Sequence, residues 1–206
     1  MIRCKHPVPA ALATVLLLGL CSCGSSPTSR FYTLTPLQNA EIPAAAEVAE
    51  LRGIVAVGPV EIADYLDRPQ IVRREGATSV TLLEGDRWAG SLQSDLARVL
   101  IDNLGVLLGP KGYVVLPWEV TARAGGRAQI SVMRFEGTGQ NTVVLDAFWT
   151  LHGKERGEIL TASREVIVEP AGGNGAEGIV EAMSRALAEL SRRIAVESEK
   201  RLARPG

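Results

Sequence analysis

The chain has 206 residues, 46% of them hydrophobic, 22% charged and 4% aromatic, with 22 Lys and Arg against 23 Asp and Glu. That length fits one ordinary domain, or a domain with an appendage, and the apolar fraction is too high for a mostly disordered chain. Near-zero charge of evenly mixed sign excludes the basic footprint that nucleic-acid binding requires.

Arg3 and Lys5 precede an uncharged apolar stretch from Val8 to Leu20, shorter than the about 20 residues a transmembrane helix needs. Residues 1–22 therefore read as a signal peptide. The stretch ends in Leu20-Cys21-Ser22-Cys23, a lipobox-like run of one apolar residue, two small ones and a cysteine. Cys23 is the expected lipid acceptor. Cys21 is the competitor, but the bulky Leu20 stands where the lipoprotein peptidase favours Gly, Ala or Ser. The plain alternative is a secretory signal with incidental cysteines, against which Gly24 to Ser29 supplies the flexible tether an anchored domain requires. Gly24 is not the aspartate that typically retains lipoproteins in the inner membrane, so the outer membrane is the expected address. Cleavage leaves one cysteine and one histidine, His152, which rules out a disulfide framework, a thiol nucleophile and a Cys/His zinc site within one chain. A Ser/His/acid triad would depend on His152, which stands beside Gly153 and reads as a turn residue. No catalytic residue, cofactor or metal is expected.

Residues 23–50 read as the lipidated cysteine and a tether with a short strand, Phe31 to Thr35, followed by an Ala/Pro/Glu-rich loop from Pro36 to Glu50. Residues 51–206 read as a periplasmic α+β domain whose ordered core starts near Arg52. Ile54 to Val57 is a β-rich run stopped by Gly58-Pro59, and Gln70 to Arg74 with Ser79 to Leu83 reads as a hairpin. From Ser91 the period changes. Leu92, Leu96, Val99, Leu100, Leu104 and Leu107 share one helical face, with Ser91 as N-cap and Gly109-Pro110 as the stop. Tyr113 to Leu116 is a short strand. Ala128 to Phe135, Thr142 to Leu151 and Ile159 to Val168 read as an antiparallel meander, and Ala176 to Lys200 as an amphipathic helix. The predicted fold is one twisted, mainly antiparallel sheet of about seven or eight strands with two helices packed on it.

Gly173 to Gly178 spells G-x-G-x-x-G between a strand and a helix, but no later strand remains to complete a dinucleotide-binding unit, so it reads as a turn into the last helix. Lys111 lacks the spacing and the Ser/Thr of a phosphate loop. Arg87-Trp88 either staples the first helix to the sheet or forms an exposed contact. Tyr65, Leu66, Asp67 and Arg68 connect two strands and read equally well as a partner surface or a capped turn.

The order of these pieces resembles the ABC-type transport auxiliary lipoproteins (PqiC/YmbA-like) that accompany MCE-domain lipid transporters in Gram-negative envelopes. The resemblance is carried by Phe31-Tyr32-Thr33-Leu34, Val57-Gly58-Pro59-Val60, Tyr65-Leu66-Asp67-Arg68-Pro69-Gln70-Ile71-Val72 and Arg87-Trp88-Ala89 leading into the helix. The sequence departs from the usual pattern at Ala63, where proline is common, and at Gly90, where an acid is common. The resemblance implies an outer-membrane, lipid-anchored subunit that docks with an MCE protein and performs no reaction. A single small domain cannot enclose a lipid path, so a homo-oligomer is expected. Two other readings stay open: a ring or scaffold lipoprotein of an exporter such as a polysaccharide one, and a lipid-anchored hydrolase using Asp64 and Asp67.

Overall fold

The computed structural model describes residues 28–37, 50–120, 124–155, 157–173 and 175–203. The expected signal peptide, Cys23, most of the Pro36 to Glu50 loop and Asn174 lie outside the described residues. Eight strands and two long helices follow in the order β1 (Arg30–Tyr32), β2 (Gly53–Ile62), β3 (Gln70–Arg74), β4 (Val80–Trp88), α1 (Leu92–Leu108), β5 (Tyr113–Pro117), β6 (Gly126–Thr138), β7 (Thr142–His152), β8 (Ile159–Pro170) and α2 (Ala176–Leu202).

All eight strands form one mixed sheet centred on β6. Along one edge β6 pairs with β7, and β7 with β8, both antiparallel, as the meander predicts. The other edge is shared. β2 runs parallel to the first half of β6 and carries β5 outside it; β3 joins only at Gly137 and Thr138 and carries β4 and then β1. Antiparallel ladders carry the greater length, while parallel pairing joins segments distant in sequence.

Both helices lie on one side of this sheet. Leu92, Leu96, Val99, Leu100 and Leu104 of α1 are buried, as are Ile179, Met183, Leu187, Leu190 and Ile194 of α2, and each such side chain contributes about 1.5–3 kcal/mol relative to exposure. The Ser91 Oγ accepts from the Ser94 N–H at 3.4 Å, and beyond Leu108 the chain tightens into the turn Gly109–Lys111 and reverses at Gly112, whose φ is +85°. Gly175 is the residue at which α2 begins, so the glycine-rich run is a turn into that helix.

Several boundaries differ from expectation: β1 ends at Tyr32 and not at Thr35, and β4 runs past Leu83 to Trp88, so that Arg87-Trp88 closes a strand. Two further differences bear on the core. β2 does not stop at Gly58-Pro59: the register against β6 shifts between Val57 and Val60, so the pair forms an irregularity within one strand. Gln93 of α1 donates to the Val60 carbonyl there at 2.8 Å. The second difference concerns the start of the core, which lies upstream of Arg52. Leu34 is 1% exposed, and residues 34–37 form a strap across both helices. The Leu34 N–H donates to Asp95 Oδ2 (2.6 Å) and its carbonyl accepts from Arg98 Nη2 (2.9 Å). The Thr35 N–H donates to Ser184 Oγ (3.1 Å), and the Leu37 N–H to Asn103 Oδ1 (2.7 Å). Asn103, fully buried, also donates to Ser191 Oγ (3.1 Å), so one amide joins strap, α1 and α2.

Candidate functional site

The helix-free side of the sheet is where sequence-expected and unexpected residues meet. Between Val132, the last partner of β2, and Gly137, the first partner of β3, that edge of β6 has no strand beside it. The turn Asp64–Leu66 fills the gap. The Ala63 N–H donates to the Val132 carbonyl at 3.0 Å, Leu66 points into the core at 0% exposure, and Tyr65 turns its ring along the gap. Its hydroxyl donates to Glu136 Oε2 at 2.7 Å and lies 3.4 Å from the Met133 carbonyl oxygen.

Glu136 is fully buried and receives three donors: Tyr65, Arg74 through Nε and Nη2, and Arg134 Nε at 3.1 Å. Burial by itself would raise its pKa, but the hydrogen bonds from Arg74, Tyr65 and Arg134 together outweigh it and hold the carboxyl below its ordinary value. The same burial, with the carboxylate acting as acceptor, pushes the Tyr65 phenol up to about 12. The Arg74 guanidinium sits 5.7 Å from the centre of the Tyr65 ring. On the next strand Asp146 is held by Arg164, with Nε at 2.9 Å and Nη2 at 2.7 Å, and this bidentate pair holds the Asp146 carboxyl below its ordinary value.

The expected lipid acceptor, Cys23, lies outside the described residues. Of the residues expected to bind a partner, Tyr65 is turned onto Glu136. Leu66 and Trp88 belong to the buried core and offer no surface, so the stapling alternative describes Trp88. Asp67 is exposed; Arg68 is half-buried and donates through Nε to the Tyr65 carbonyl, which closes the turn on itself. Arg87 is half-buried, and its Nε has no hydrogen-bond partner among the described residues. Sequence reasoning missed Arg74, Arg134, Glu136, Asp146 and Arg164. The available signal was a charge set inside apolar strand runs, as in Arg134-Phe135-Glu136 and in Asp146 between Leu145 and Ala147. His152 shares a 3.0 Å hydrogen bond with Thr150 Oγ1. Among the described residues no three His, Cys, Asp or Glu side chains form a metal-ligand group, and no helix is long and apolar enough to cross a membrane.

The family model of the ABC-type transport auxiliary lipoprotein component matches residues 32–195. The chain belongs to this family. The fold is also that of two crystal structures: an uncharacterized protein (TM-score 0.68, 20% identity, 82% of this chain and 98% of the other) and protein XCC0632 from Xanthomonas campestris (0.66, 15%, 84% and 98%). The PelC dodecamer from Paraburkholderia phytofirmans is more distant, with a TM-score of 0.37 and 13% identity over 69% of this chain and 93% of the other. No curated protein matches the chain. Family membership makes the protein a lipoprotein and an auxiliary component of a transport system.

Proposed function

We propose that this lipoprotein is a non-enzymatic subunit of an MCE-type intermembrane lipid transport system. It is held in the outer membrane through Cys23, faces the periplasm, docks with the MCE protein and works as a homo-oligomer. The observation that carries the reading is the transport-auxiliary family match over residues 32–195, joined to the order of motifs from Phe31 to Ala89. The titratable groups at the site support a role without chemistry, since each buried carboxylate is tied to guanidinium groups that hold it ionised. The exposed Asp67 at the tip of the turn after β2, with Arg68 next to it in the chain and Arg87 brought alongside by its pairing with Gln70, is the docking surface this reading assigns.

The test is affinity purification of the full-length lipoprotein from detergent-solubilised envelopes. Recovery of an MCE-domain protein and its ABC permease supports the reading, as does light scattering that gives a mass of several copies. Recovery of polysaccharide-export components instead would replace it, and a strictly monomeric mass with and without the MCE protein would remove the oligomer.

A further inference from the structure

The face of β6, β7 and β8 turned away from the helices has no second layer among the described residues. Cross-strand register places Ser131, Phe148 and Arg164 in one row, Arg134, Asp146 and Val166 in the next, and Glu136, Val144 and Val168 in the third. Met133 stands at the register shift beside them. Met133, Phe148, Val166 and Val168 are 44–58% exposed, a contiguous apolar strip rather than scattered single residues. The charges around it are arranged asymmetrically. The carboxylates of Glu136 and Asp146 are sunk beneath the surface, while Arg164 and Arg134 keep 65% and 37% of their side chains in solvent. Three guanidiniums, those of Arg74, Arg134 and Arg164, share these two carboxylates, so the outward surface is hydrocarbon edged with excess positive charge. Glu61, at the far end of the first row, is the exposed carboxylate nearest in register.

At one end the strip opens into a cleft of about 990 Å³ between the β3–β4 and β6–β7 hairpins, with Arg74 and Arg134 on its wall and Val144 and Val168 on its floor. Glu75, which also lines it, is taken up by Arg73 at 2.6 Å. Cationic wall, apolar floor and an apolar strip leading away form a sequence of environments that matches a phosphate headgroup followed by an acyl chain. Two like-charged strips would repel, which argues against a second copy meeting this face strip to strip. The length of the tether adds a further argument: seven residue steps from Cys23 to Arg30 span at most about 25 Å, so an anchored chain keeps this sheet close to a bilayer.

We propose that the helix-free face of β6–β8 binds an anionic phospholipid, its phosphate in the cleft at Arg134 and Arg74 and its acyl chains along Val168, Val166 and Phe148. The inference rests on the membrane anchoring proposed above and not on which transporter is served. It is tested in the full-length protein in cells grown with radiolabelled phosphate, by placing a benzophenone amino acid at Phe148, at Val168 and, as a control, at the exposed Val196 of α2. Illumination should attach labelled phospholipid at Phe148 and Val168 and not at Val196. Val166→Gln, which adds polarity but no charge opposite Asp146, should bring the label close to the control level while the protein still melts cooperatively, and Arg134→Gln should weaken it roughly tenfold, the scale of one charge-assisted hydrogen bond. Equal label at Val196, no label, or an adduct with a protein that carries no label would each overturn the proposal. Co-purification with an MCE protein is read separately, so either result can fail while the other stands.

Discussion

Tyr65 and Glu136 lie 71 residues apart in the chain, yet the phenol donates to the buried carboxylate at 2.7 Å and closes the gap that β2 leaves along β6. Tyr65→Phe removes one of three donors to a charge that cannot reach water, which should cost about 1.5–3 kcal/mol in urea unfolding. Asp67→Lys, two residues on and exposed, should change stability by no more than about 0.5 kcal/mol while weakening co-purification with the MCE protein. A collapse of stability in the Asp67 variant would make the turn purely structural.

Stability should depend on pH at both extremes. The carboxyls of Glu136, Asp146 and Glu165 all titrate below their ordinary values in the folded protein. Their contribution is complete above the unfolded-chain pKa of about 4 and is lost as pH falls through the lower folded values. Tyr65 has the opposite sign. Its neutral form is favoured in the fold, so its contribution is complete below about 10, the ordinary tyrosine value, and lost as pH rises toward about 12. Denaturant midpoints should be flat near neutrality, and Tyr65→Phe should lessen the alkaline decline.

Gly58 has φ of +121°, and a Cβ there would stand 2.2 Å from Cδ1 of Trp118. Gly58→Ala combines backbone strain with a steric clash, each on the order of 1–3 kcal/mol. In thermal melts the double variant Gly58→Ala with Trp118→Ala should recover the steric part and retain the backbone part. Full recovery would show that the backbone geometry costs nothing.

Asn103→Leu leaves the Leu37 N–H without its acceptor and Ser191 without its donor. Limited proteolysis should then cut between Thr33 and Leu37 before the sheet unfolds, with a loss of about 1–3 kcal/mol in global stability. An unchanged cleavage pattern would mean that Asp95 and Ser184 hold the strap unaided.

Cys23→Ala should leave an unprocessed precursor that takes up no labelled palmitate, while Cys21→Ala should mature normally. Envelope fractionation on sucrose should place the wild-type protein with outer-membrane markers; recovery with inner-membrane markers would contradict the sorting read from Gly24.

Local signals in the sequence foretell much of this fold. Ser91 and Gly109-Pro110 bracket α1, Glu75-Gly76 marks the β3–β4 hairpin, and the alternation from Val143 to Leu151 identifies the buried face of β7. Non-local partners hide the rest. Leu34 reads as part of a tether because Asp95, Arg98 and Ser184, which hold its segment, come 61 to 149 residues later. Glu136 reads as an ordinary strand charge because the shift beside Met133 moves it onto the helix-free face, where Tyr65 and Arg74 arrive from elsewhere. Tyr65 itself was visible, but its residue type could not show whether the ring faced a partner or β6.

The strap also determines how the domain bears load. A pull on an anchored N-terminus enters at Arg30 and meets first the three-residue parallel pairing of β1 with the β4 edge, a short ladder that can yield. The next resistance comes from the hydrogen bonds of Leu34, Thr35 and Leu37, which are made to side chains on two different helices. Tension on this segment is thereby shared between α1 and α2 and reaches β6, β7 and β8 through the packing of α2 on those strands, spread over a broad apolar contact instead of being focused on one edge ladder.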